Sequence, residues 1–152
     1  MTDPGTFDRF VRVEIARAIR DRGVIPRIDE VVTTVGSERA EVEASFRRMI
    51  EGRVFIPRQD SLEILAYNPF CVEATGFGVT AAGRSWSAIC AWDALGIPPA
   101  LEVTGTVEAP CGDCAAPIRI EVGRGGRAVA NDEIVMQVAT PARDFWKNIY
   151  LT

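Results

Sequence analysis

The hydrophobic period of this chain changes once, around Asn68-Pro69, and that change limits which folds are open to it. Before it, Phe7, Phe10, Val11, Ile15, Ala18 and Ile19 recur at helical spacing, and Gly23 supplies a stop. Pro26 suggests a second helix with Ile28, Val31, Val32 and Val35 on one face. Ser37, with Glu38 and Glu41, suggests a third whose core face is Val42, Phe46, Met49 and Ile50. Residues 54–57 and 62–67 then alternate around a polar turn, as a hairpin would. After Asn68-Pro69 the apolar runs are short and alternating: 70–80, 101–107, 118–122, 128–130 and 134–139, separated by glycine and proline. The expectation is an α+β chain. Residues 1–67 would form a three-helix, winged-helix-like domain, and residues 68–152 a short helix packed on an antiparallel β-sheet.

The short helix is expected over residues 83–98, GRSWSAICAWDALGIP. Ser85 suits an N-cap, Gly96 a left-handed exit, and Pro98 opposes continuation. At about 100° per residue, Ala88, Ile89, Trp92 and Leu95 make one apolar arc. Ser87, Cys90 and Asp93 make a row on another side, placing a thiol and a carboxylate one turn apart. Cysteine and tryptophan are both largely buried types, so the helix should be covered on most sides.

The sequence contains no histidine, which removes Ser-His-Asp and Cys-His catalysis and histidine-ligated zinc. Metals must be held by sulfur or oxygen, and protons carried by carboxylates, thiols, tyrosines or water. A net charge of −4 gives no bulk attraction to nucleic acid or acidic membranes. Residues 1–70 carry eleven arginines against twelve acids, a balance that argues against DNA binding through the third helix and favours a packing or dimerisation role. No apolar run approaches the roughly 20 residues that span a bilayer. The first ten residues lack the basic and apolar parts of a signal peptide, so a cytoplasmic setting with four reduced cysteines is expected.

The run at 83–98, followed by a strand and a cysteine-containing turn, resembles the core motif of the alkylmercury (organomercurial) lyase family. The likeness extends from about residue 7 onward and is most specific over 68–117, with Thr75-Gly76-Phe77 a looser match. The resemblance implies that Cys90 binds the mercury of an organomercurial and that Asp93 delivers the proton replacing mercury on carbon. It also implies a structural cysteine at Cys111 and an N-terminal helical domain covering the catalytic core. The aromatic-rich residues 141–152 resemble the family's approach to a second catalytic cysteine, which this sequence does not contain before it ends at Thr152. With one thiol beside the acid, capture without efficient turnover is the expectation. Either a homo-oligomer or a C-terminal partner is open. No cofactor is required, mercury being part of substrate and product.

Cys111-Gly112-Asp113-Cys114 resembles one knuckle of a zinc ribbon. There is no second knuckle, so a structural zinc would need Cys71 and Cys90 to join the pair; a reduced turn with one buried thiol is the simpler reading. Cys90, Cys111 and Cys114 are the candidate metal ligands, and Cys90 with Asp93 the candidate catalytic pair. The alternative to a lyase is a noncatalytic module that binds soft metal through thiols, or a winged-helix regulatory or interaction module.

Overall fold

The computed structural model describes residues 3–129, 133–138 and 141–147, and the chain divides into two compact units, Met1–Asn68 and Pro69–Thr152. In the first, helix α1 (Pro4–Arg22) begins where the Asp3 carboxylate accepts the Thr6 amide at 3.1 Å. It ends where Gly23 turns left-handed at φ 76° and donates its amide to the Ile19 carbonyl. Phe7, Val11, Ile15 and Ile19 are its buried stripe. Helix α2 (Ile28–Val35) starts two residues later than Pro26 suggests, because Glu30 folds back to accept the Arg27 amide at 2.8 Å and fixes the first turn there. Helix α3 (Arg39–Glu51) is preceded by Glu38 rather than by a Ser37 cap. It buries Val42, Ser45, Phe46 and Met49. Arg48 on α3 makes two hydrogen bonds to Asp8 on α1, at 2.9 and 2.6 Å.

Strands β1 (Ile56–Pro57) and β2 (Ile64–Tyr67) pair antiparallel, in a hairpin shorter than residues 54–57 and 62–67 would allow. The Val54 amide is still bonded to Met49 in the exit of α3, at 2.8 Å, which delays the start of pairing. Phe55 is buried edge-on against Phe46 with ring centroids 5.1 Å apart.

The second unit is a sheet with one helix. Strands β3 (Phe70–Cys71), β4 (Phe77–Ala81), β5 (Arg84–Ala88), β6 (Gly105–Pro110), β7 (Pro117–Val122) and β8 (Ala128–Val129) lie in the order β3-β5-β4-β6-β7-β8. Every paired neighbour is antiparallel. Helix α4 (Ala91–Ala100) joins β5 to β6. Helices and antiparallel sheet make the chain α+β, as the two hydrophobic periods imply.

The run 83–98 is not one helix. Gly83 closes the tight β4–β5 turn at φ 69°, and residues 84–88 pair with β4 from Ala81↔Arg84 to Phe77↔Ala88. In this strand Trp86 and Ala88 point inward. The Trp86 indole donates to the Ala81 carbonyl at 3.1 Å and its ring lies 4.9 Å from that of Phe70. The ladder and this buried ring outcompete the helical arc. Trp92, placed in that arc by periodicity, is 67% exposed. Helix α4 also continues through Pro98 and Pro99 rather than stopping before them. Both prolines fall in its last turn, where Leu101, Glu102 and Val103 donate to the carbonyls of Ile97, Pro99 and Pro98. That helix exit occupies residues 101–103, so the strand expected at 101–107 begins only at Gly105.

Gly105 marks where the helix meets the sheet. A Cβ there would fall 2.8 Å from Pro98 Cγ and 2.9 Å from the Thr80 carbonyl, so only glycine lets β6 run this close to α4 and β4. Of the strand expected over 134–139, residues 134–138 form no ladder and Ala139 lies outside the described residues; Ala130, expected to end β8, also lies outside them. Among the described residues no helix is long and apolar enough to cross a membrane.

Candidate functional site

The site is built on the junction between β5 and α4. Ala88 ends the strand, and its carbonyl accepts a hydrogen bond from the Thr75 hydroxyl, which fixes the chain just before it turns. Cys90 follows in an extended conformation (φ −140°, ψ 174°) as the residue capping α4, and its carbonyl accepts the first helical bond from the Ala94 amide at 3.0 Å. Asp93 is the third residue of the helix. The row Ser87-Cys90-Asp93 on one helix therefore does not exist, since Ser87 belongs to β5. The thiol and carboxylate nevertheless meet, with Cys90 Sγ 3.5 Å from Asp93 Oδ2. Residues three apart face one another across a cap and first turn much as they do inside a helix.

Both groups are half-buried, and burial dominates their chemistry. Loss of solvent pushes the Asp93 carboxyl above its ordinary value of 3.8, with the bond from the Cys90 thiol opposing. Burial also raises the Cys90 thiol above 9.0. The Asp93 amide opposes that rise, the Asp93 charge reinforces it, and the Trp92 amide opposes it again. The arrangement favours one proton held between the two groups: the acid ionises less readily than usual, and the thiol keeps its proton.

The β6–β7 connection carries the other pair. Cys111 donates its amide to the Ala116 carbonyl at 2.8 Å, and Ala115 donates to the Cys111 carbonyl at 2.9 Å, closing a tight turn. The Cys114 amide, the Asp113 amide and then the Cys114 thiol bond to the Cys111 sulfur and hold its thiol below the ordinary 9.0. Cys111 is half-buried and Cys114 exposed. Cys71, also half-buried, pairs across from Ser87 on β5.

Thus Cys90 is brought to Asp93, and Cys111 to Cys114. Among the described residues no three Cys, Asp or Glu side chains converge to hold a metal ion. The thiols therefore stand as Cys90 beside Asp93, Cys111 with Cys114 in one turn, and Cys71 on β3. The reason is local: each pair is closed within its own turn.

A cavity of about 560 Å³ opens beside the helix start, walled by Phe77, Ala91, Leu95, Val107, Cys111 and Ile118 among others. Ala91 directly follows Cys90. Sequence reading missed this cavity, because its walls come from β4, α4, β6 and β7; the alternation of Ile118 and Ile120 along β7 was the only local hint.

Three comparisons bear on this arrangement. The family model described as MerB, alkylmercury lyase, matches residues 70–151, more than half of the chain. No curated protein matches. Among solved structures, the mercury-bound form of MerB2 is similar at a TM-score of 0.61 and 18% identity, covering 85% of this chain and 66% of that one. That likeness is one of fold, and this chain spans just under two thirds of that structure's length.

Proposed function

We propose that this chain, which belongs to the alkylmercury lyase family, captures an organomercurial compound on Cys90 and breaks its carbon–mercury bond with a proton carried by Asp93. The observation supporting this most is the 3.5 Å contact between the thiol and the half-buried carboxylate.

Mercury is soft and prefers thiolate, so it bonds to the Cys90 sulfur as its own anionic ligand leaves and the thiol proton is released. Asp93, already accepting that proton in a hydrogen bond, takes it. Burial raises its affinity for a proton, which makes it the local acceptor. When the carbon–mercury bond breaks, its electron pair stays on carbon, and the proton on Asp93 is delivered there. The products are a hydrocarbon, mercury bound to the Cys90 sulfur, and a regenerated carboxylate. The apolar walls of the neighbouring cavity suit the organic group.

A second thiolate on mercury would push electron density toward the carbon. No third Cys, Asp or Glu among the described residues joins Cys90 and Asp93. One cleavage per captured molecule, with slow release of mercury, is the behaviour proposed. The same observation favours the second reading, a noncatalytic thiol module that captures soft metal. Incubation with phenylmercuric acetate separates the two: benzene appears in the first case, and mercury is retained with its phenyl group in the second.

A further inference from the structure

The tip of the β6–β7 hairpin holds two thiols that the chemistry at Cys90 does not use. We propose that Cys111 and Cys114 form a separate two-thiolate site for a soft d10 cation, such as the mercuric ion that cleavage at Cys90 would leave behind.

Several observations carry this. The turn is closed by the Cys111–Ala116 and Ala115–Cys111 backbone bonds, and Ala115 takes a left-handed φ of 58° to complete it. This folds the chain back on itself within the few residues that carry both cysteines. Cys114 is exposed, so an ion can arrive from solvent, while Cys111 lines the cavity that also touches Ala91 beside Cys90. The pair therefore faces both the outside and the cavity next to the reacting thiol.

Ligand number sets the class of ion. Zinc in a structural site wants four ligands, and here no third Cys, Asp or Glu among the described residues joins the pair. A soft d10 ion is satisfied by two thiolates and prefers sulfur over the oxygen of Asp113. Binding requires no oxidant: two sulfur–metal bonds form and two thiol protons are released. In transfer from Cys90, one of those protons replaces the metal on the Cys90 sulfur, and the other goes to solvent or to the ligand displaced from the metal.

Only the source of the ion rests on the proposed lyase reading, and the test removes that dependence. The reduced full chain carrying Cys90→Ser is titrated with mercuric chloride alone in the presence of a competing monothiol, and the sulfur-to-metal charge-transfer absorbance is followed. One equivalent should be retained. Adding Cys111→Ser or Cys114→Ser should weaken retention by about 100-fold or more, because two linked ligands multiply affinity. Adding Cys71→Ser should leave it unchanged. Circular dichroism checks that each variant is folded; Cys114→Ser, at an exposed position, decides the matter if Cys111→Ser does not fold. Equal retention with and without the pair, or loss of retention in Cys71→Ser, overturns the proposal. Benzene release by the unsubstituted chain is scored separately, so failure at Cys90 and failure of this site are distinguishable.

Discussion

Cys90 Sγ lies 3.5 Å from Asp93 Oδ2 across the first turn of α4, with Cys90 as the capping residue and Asp93 three positions in. This position matters as much as the distance. At a helix start the sulfur sits near outward-pointing amides, those of Asp93 and Trp92, yet beside a carboxylate that resists sharing the space with a thiolate. The pair therefore retains one proton, which is what a capture followed by protonation needs.

Replacing Asp93 with asparagine keeps the shape of the side chain and removes the transferable proton. Asp93→Asn should still bind phenylmercury stoichiometrically, while benzene formation falls by about 10²–10⁴-fold, the usual worth of a general acid. Mercury retention and benzene, measured on the same sample, check both halves.

The two raised titrations set a pH window. Below the Asp93 value both groups are protonated and the thiol proton has no acceptor; above the Cys90 value neither carries a proton. Single-turnover cleavage should be bell-shaped, with the acid limb above the ordinary carboxylate value of 3.8 and the alkaline limb above 9.0. The Asp93 charge is one of the causes raising Cys90, so Asp93→Asn should move thiolate formation, read by ultraviolet absorbance, to lower pH.

Gly105→Ala should destabilise the fold. Its new methyl would meet Pro98 Cγ at 2.8 Å, Thr80 O at 2.9 Å and Ala81 Cβ at 3.1 Å, and backbone cannot yield as a flexible side chain can. A cost of about 1–3 kcal/mol is expected from overpacking. Urea unfolding measures it, with a lower midpoint and an unchanged slope.

The bond from the Arg48 guanidinium holds the Asp8 carboxyl below its ordinary 3.8. A depressed native value means that the stabilisation is fully present above the unfolded value and is lost as pH falls through the native one. Asp8→Asn should therefore lower stability near neutrality by about 0.5 kcal/mol, since solvent screens the pair, and the difference should vanish in acid. Parallel urea curves at neutral and acidic pH test this.

The legible parts of the sequence were those whose signals are local. The stripe of Phe7, Val11, Ile15 and Ile19, and the face of Val42, Phe46 and Met49, follow from spacing, with Gly23 in the left-handed exit that its type suggests. Residues 84–88 were misread because small and apolar side chains there satisfy both a helical arc and an alternating strand. What decides between them is the ladder to residues 77–81 and the pocket that takes Trp86, neither of which is local. The Cys90–Asp93 contact survives this error because a spacing of three brings side chains together both inside a helix and across its cap. The cavity left only the alternation of Ile118 and Ile120 as a local sign, since its walls meet only after β4, β6 and β7 have paired.

Benzene release from phenylmercuric acetate by the full chain, compared with Cys90→Ser under the same conditions, bears most directly on this account. One equivalent of benzene per chain, absent from Cys90→Ser, is the expected result. Benzene formed equally by both would contradict it.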